Sequence, residues 1–324
     1  MGKIDSGKKN KRPKVLLLGN GLNLAYAKGA LSWQGLLKDG QKSDVPDNIV
    51  VPLSLEVVLR TGDRAKDMMR EKSRVLYGKV TPELKEALDL LLCAGFDEIL
   101  TTNYGYELES AAFGEEQLSN YRLKKIVRST TGRVDRRYLL HTYNEVYSNG
   151  APNRIWHIHG EARKTESMVI DHYHYGSLLN RFINFYRWRG NDYAKFKNYD
   201  EIPKESWLDA FMTGDVYILG QGFDFAEMDL WWLVNRKKLD KNAGGKIFFY
   251  EPKSDREYDS KTELLKIYGV QPLTMGYQLP EKYGHRPTAK VRAAYETKKQ
   301  EVFRSFYRDA IADIVKRVQK RNER

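Results

Sequence analysis

Short unbroken apolar runs ending at glycine punctuate this chain. Lys14–Gly19 (KVLLLG) is the first, and such a run predicts a strand buried on both faces. The chain then turns at Asn20–Leu24 into a helix, with Trp33, Leu36 and Leu37 on a helical period further on. Thr81 before Pro82 marks another helix start, with threonine as N-cap and proline in the first turn. Glu83 to Leu92 continues that helix and Gly95 stops it. Phe96–Thr101 (FDEILT), Arg154–Gly160 (RIWHIHG), Asp215–Gly220 (DVYILG) and Lys246–Tyr250 (KIFFY) predict four further strands. Within RIWHIHG, a period of two sets His157 and His159 on one face and Trp156 and Ile158 on the other. Residues 112–150 are polar and arginine-rich and read as loops with a hairpin. Residues 171–212 carry His172, Tyr173, Tyr175, Phe182, Phe185, Tyr186 and Trp188, which suits a helical insertion packed over the sheet. Met228–Leu233 belongs to a helix after the fourth strand, and Ala289 to Arg317 is helical in periodicity.

Strands alternating with helices predict an α/β fold: a Rossmann-like, mostly parallel sheet flanked by helices, with a helical insertion. The expected organisation is a basic tail over 1–13, one domain over 14–290 with its insertion around 161–212, and a C-terminal helix and basic tail over 291–324.

Charge refines this picture. The formal net charge is +12, but it is concentrated at the ends. Residues 1–14 carry six lysines and arginines against one acid, and residues 311–324 carry five against two. Basic ends of this kind are solvated tails or contacts for nucleic acid or an acidic partner. The single cysteine, Cys93, leaves no internal disulfide and no cysteine-based zinc site. No apolar run approaches the roughly 20 residues of a membrane span. The apolar run after the basic N-terminus is too short for a signal-peptide core, so a soluble, cytoplasmic protein without membrane attachment is expected.

Three features fall at the carboxyl ends of predicted strands, where open α/β sheets bind ligands. Gly19, Asn20 and Gly21 form a small-residue turn that either admits a pyrophosphate to a helix N-terminus or is simply tight. Asn103, in Thr101-Thr102-Asn103-Tyr104, either orients a ribose hydroxyl or a water, or makes a turn and caps a helix. His159, in His157-Ile158-His159-Gly160, is either a proton acceptor near neutral pH or a structural histidine.

In this order, with Leu219-Gly220-Gln221-Gly222-Phe223, Asp224 and Asp229 following, these motifs resemble the bacterial sirtuin-like (silent-information-regulator-like) defence NAD hydrolases. The opening GNGLNLA is also similar to the abortive-infection AbiH-type family, and LSWQGLL (31–37) to a Trp-containing helix of sirtuin-like defence proteins. The resemblance covers about residues 14–251. It implies that Asn103 and His159 are catalytic and that NAD is the substrate. It also implies that Gly19, Asn20, Gly21, Thr101, Thr102, Gly220, Gly222 and Asp224 contact NAD, and no metal is expected. Glu251, just after KIFFY, is placed by position to accept hydrogen bonds from a ribose diol. The implied activity is NAD+ glycohydrolase, releasing nicotinamide and ADP-ribose to deplete NAD in antiphage abortive infection. Restraint by homo-oligomerisation or by a separately encoded partner goes with it. The alternatives are a non-hydrolytic NAD or ADP-ribose sensor and a basic nucleic-acid-associated effector. Gly105 stands where many relatives have aspartate, so Glu107 or Glu109 substitutes or nothing needs to. One cysteine cannot supply the four-cysteine zinc module of protein-deacylating sirtuins.

Overall fold

A computed structural model describes residues 12–26, 52–53, 80–113, 138–189, 205–254, 259–284 and 288–322, with single positions 193, 195 and 201. Residues 1–11 of the expected tail over 1–13, and the expected helix at Trp33, Leu36 and Leu37, lie outside the described residues.

The strands are β1 (Lys14–Leu18), β2 (Glu98–Thr101), β3 (Asn144–Ser148), β4 (Ala151–His157), β5 (Asp215–Leu219), β6 (Ile247–Tyr250) and β7 (Val270–Leu273). They form one sheet in the order β3-β4-β2-β1-β5-β6-β7, parallel throughout except for the β3–β4 hairpin. Asn149 and Gly150 close that hairpin at φ values of 50° and 78°, the left-handed pair that a two-residue hairpin turn requires. The sheet is a Rossmann-like α/β core. Beyond the five strands expected from the apolar runs, it holds β3 and the edge strand β7.

Both faces of the sheet are covered, which is why KVLLL reads as unbroken apolar sequence. Val15 and Leu17 face one core, and Leu16 and Leu18 face the other. The second core is closed by α1 (Gly21–Tyr26), α2 (Pro82–Leu92), α3 (Glu107–Phe113) and the end of the 34-residue C-terminal helix. The first core is closed by α4 (Tyr138–His141), α5 (His172–Arg189), α6 (Trp207–Thr213), α7 (Met228–Leu239) and α8 (Ser260–Ile267). The C-terminal helix is α9 (Ala289–Asn322). It buries Phe306, Tyr307, Ala310, Ile311, Ile314 and Val318, and its Arg304 Nε donates to Ala25 O at 2.8 Å near the end of α1. Thr81 caps α2 as expected, with Oγ1 accepting from Leu84 N at 3.3 Å. The aromatic insertion becomes α5 and α6 between β4 and β5.

One expectation about strand register is corrected. The strand β4 ends at His157, and Ile158–His159 already turn. Alternation therefore stops before His159, and the two histidines do not share a face. His157 reaches α3 in the second core, whereas His159 reaches α7 in the first. Gly160 accommodates the turn. Its φ is +90°, and a β-carbon there would lie 2.3 Å from Ser167 O.

Candidate functional site

The chain leaves β1 toward β2 on one side and returns to β5 on the other, so the strand order switches between β1 and β5. Ligands of open α/β sheets bind beyond the carboxyl ends of strands at such a point. An open cleft of about 320 Å³ lies there, at the low end of ordinary small-molecule sites. Asn20 and Gly21 from the β1 turn, Thr102 and Asn103 after β2, and His159 after β4 line it. Gly220, Gly222 and Asp224 after β5, and Glu251 after β6, complete the expected set.

Two expected residues stand behind the cleft. Thr101 Oγ1 donates to Leu18 O at 3.1 Å and accepts from Asn103 N at 3.0 Å, bracing the start of the asparagine loop. Gly19 packs against the β5 loop, where a β-carbon would sit 2.4 Å from Gly220 O. The amides of Gly19 and Gly21 donate to Leu219 O and Gly220 O at 2.9 and 2.8 Å. These two N–H groups therefore hold the turn to β5, and the bare Cα of Gly21 is what the cleft meets.

Asn103 is held by its backbone and left open at its side chain. Its carbonyl accepts from His157 Nδ1 at 2.9 Å, while its Oδ1 is buried without a hydrogen-bond partner. A buried amide oxygen with no partner costs roughly 1–3 kcal/mol, which a bound donor recovers. Adjacent Thr102 Oγ1 donates to Gln221 Oε1 at 3.0 Å, and Gln221 Nε2 donates to Glu227 Oε1 at 2.7 Å. The loops after β2 and β5 are thereby fastened together.

His159 is 2 % exposed, with Nε2 2.7 Å from Oδ2 of the fully buried Asp229. The carboxylate fixes the tautomer that carries its proton on Nε2, leaving the lone pair on Nδ1. Among the described residues Nδ1 has no protein partner. Burial disfavours the charged ring, but the Asp229 charge and hydrogen bond, with Glu227 behind, outweigh it and raise the His159 pKa. Tyr175 from α5 packs edge-on to the ring at 5.5 Å between centroids.

The cleft is acidic. Burial, followed by weaker influences that include Glu109, pushes Glu107 up to about 7. Burial also raises Glu227 to about 7, with the His159 charge opposing and Asp229 reinforcing the shift. Burial raises Glu251 against the pull of Lys261, whose Nζ lies 2.7 and 2.6 Å from the two carboxylate oxygens. Of the two acids expected as substitutes near Gly105, Glu107 lines the cleft, whereas Glu109 is tied to His157 and Asn144. Among the described residues, no group of three or more His, Cys, Asp or Glu is arranged to hold a metal ion. No helix among them is long and apolar enough to cross a membrane.

Residues 97–273, more than half of the chain, match the SIR2-like domain family. The chain belongs to that family. Membership accords with NAD-using chemistry in general, and the match spans β2 to β7, including Asn103, His159 and Asp229. The GNGLNLA turn and α9 lie outside the matched segment, although both help to wall the cleft of this SIR2-like protein. A search of curated proteins finds no match.

Sequence reasoning passed over three parts of the site. Asp229 was named among the motifs but its pairing with His159 was not, although an acid on the buried face of α7 needs a partner. The Gln221–Glu227 link carries no local signal. Phe303 and Tyr307 sit on an apolar stripe that reads as core.

Proposed function

We propose that this SIR2-like protein hydrolyses NAD+ at the bond between nicotinamide and ribose. The observation that carries the reading is the meeting of two unsatisfied groups in one cleft: Asn103 Oδ1 and the free ring nitrogen of His159. Three residue-level features support the fit of a dinucleotide. Asn103 offers an orphaned buried oxygen, Gly21 presents no side chain, and Glu251 stands at the end of β6 for a ribose diol.

In this reading the glycosidic bond breaks with its electron pair leaving on nicotinamide, which departs neutral because it began as a pyridinium. Positive charge develops on the ribose, as in other glycosyl transfers. Asn103 Oδ1 accepts a hydrogen bond from the attacking water or a ribose hydroxyl and aligns it. His159 Nδ1 takes the proton released when the water oxygen bonds the anomeric carbon, and the charge formed on the ring is held by Asp229. Asp229 acts through His159 and is a positioning residue. The products are nicotinamide, ADP-ribose and a proton.

Nicotinamide release by purified wild type beside His159→Ala and Asn103→Ala tests the proposal. Cleavage by wild type with a loss of about a hundredfold or more in each variant is expected. Undiminished cleavage by both variants sinks it. Tight NAD binding without cleavage by wild type favours the sensor alternative.

The proposal extends to an abortive-infection effector restrained by self-assembly or a partner, supported by the likeness of GNGLNLA to AbiH-type proteins. Cellular NAD measured on producing wild type against His159→Ala checks this part. Equal NAD in both removes the effector role.

A further inference from the structure

Among the described residues, the cleft assigned above to a dinucleotide offers a diphosphate little positive charge. Its described lining holds Glu107, Asp224, Glu227 and Glu251 and no lysine or arginine. Nearby Lys261 is held by both oxygens of Glu251 and by Gly222 O. The Gly19 and Gly21 amides are committed to β5 carbonyls. Among the described residues, recognition of the anionic bridge is therefore left to neutral donors.

Tyr307 of α9 has the required placement. It is 3 % exposed, its ring is stacked on Phe303 at 5.8 Å and packed against Phe306 at 5.3 Å. Its hydroxyl lies against Gly21, so close that a β-carbon on that glycine would come within 2.3 Å of Oη. Both residues line the cleft, and among the described residues Oη has no hydrogen-bond partner. Burial, with the Glu251 charge beside it, raises the Tyr307 pKa, so the hydroxyl keeps its proton and remains a donor.

We infer that Tyr307 is a substrate-binding residue whose hydroxyl donates a hydrogen bond to the diphosphate of the dinucleotide beside Gly21. The inference rests on the NAD reading of the cleft. It makes the C-terminal helix, outside the family-matched segment, a functional wall of the site. It also gives Gly21 a definite role: any side chain there displaces the donor.

The test is calorimetric titration of ADP-ribose, which is not cleaved at the nicotinamide bond, into wild type and Tyr307→Phe. The phenylalanine keeps the stacked ring and removes only the hydroxyl. Affinity is expected to fall about tenfold, the scale of one hydrogen bond to a charged acceptor. KM for NAD should rise with kcat maintained. Equal ADP-ribose affinity in the two proteins overturns the Tyr307 assignment and leaves the NAD reading intact. A wild type that binds neither ADP-ribose nor NAD overturns both. Thermal unfolding accompanies the titration: a lower midpoint in Tyr307→Phe alongside the lost affinity attributes the loss to packing and rejects the hydroxyl contact.

Discussion

His157 and His159 lie two residues apart, both are buried, and each faces a buried carboxylate. Their surroundings differ in one respect. His157 presents Nδ1 to Asn103 O and Nε2 to Glu109 Oε1, each at 2.9 Å, so both ring nitrogens face acceptors. Such a ring carries two protons and a positive charge. Burial opposes that charge, but Glu109 and the Asn103 carbonyl overcome it and raise the His157 pKa. His159 has one acceptor and one nitrogen left over, on the cleft side. A histidine–carboxylate pair is thus structural or chemical according to whether a nitrogen remains for a ligand.

The largest expected effect falls on the closed pair. His157→Ala leaves Glu109 buried without its cation, and breaking a buried pair by removing one partner costs about 3–5 kcal/mol. Urea unfolding of this variant against wild type measures the loss. Its pH dependence follows from the two shifts. His157 is raised above its ordinary 6.5, so its contribution is full below 6.5 and disappears as pH rises through the folded value. Glu109 is lowered despite burial, because the His157 charge and hydrogen bonds from His157 and Asn144 outweigh desolvation. Its contribution is full above the ordinary 4.5 and disappears as pH falls through the folded value. The gap between wild type and His157→Ala should therefore be widest between pH 4.5 and 6.5. A gap independent of pH contradicts a charged closed pair.

The open pair is expected to answer in the other observable. His159→Ala should lower NAD cleavage about a hundredfold or more, and because it too leaves a buried carboxylate, Asp229, without its partner, a loss of stability should accompany it. A stability loss as large as that of His157→Ala, with cleavage preserved, erases the distinction between the two histidines.

Part of this contrast was legible in the sequence. Asn103 and His159 stood out because polar residues just past apolar strands occupy the binding edge of a parallel sheet. The strand KVLLL was equally plain, since burial on both faces leaves no polar position. By contrast, β7 (VQPL) is partly exposed at the sheet edge and contains Pro272, which obscures its strand character. The alternation in RIWHIHG continues in sequence past the point where the backbone turns. In the fold the strand ends at His157, and the chain turns before Gly160 passes close to Ser167. Asp229 was seen, but its partner is 70 positions away, and the topology that joins them is not a local pattern. Tyr307 was hidden for a different reason: its ring belongs to the apolar stripe of α9, which reads as core even though the residue also lines the cleft.

A smaller effect probes how the open pair is poised. Asp229→Asn keeps the shape beside His159 and removes the negative charge that raises its pKa. A cleavage rate lower by about tenfold is expected, since orientation and charge stabilisation weaken together. The acidic limb of kcat/KM, where the base becomes deprotonated, should move to lower pH, because the unpaired ring gives up its proton more easily. A limb that stays in place means that another group titrates there. Glu227, raised to about 7 in the same cleft, is the first to examine by Glu227→Gln.

The smallest effect concerns Asn144, which touches the closed pair only. Its Nδ2 donates to Glu109 Oε1 at 2.8 Å, the same oxygen that His157 contacts. Asn144→Ala leaves the His157–Glu109 pair in place and removes one hydrogen bond, a loss of about 1 kcal/mol. Because that bond helps to hold the Glu109 pKa down, its removal raises the folded value, and acid destabilisation should begin at higher pH than in wild type. NAD cleavage should be unchanged, since neither Asn103 Oδ1 nor His159 Nδ1 depends on this contact. A marked fall in kcat in Asn144→Ala, with stability intact, places the closed pair in the catalytic machinery and ends its reading as a purely structural element.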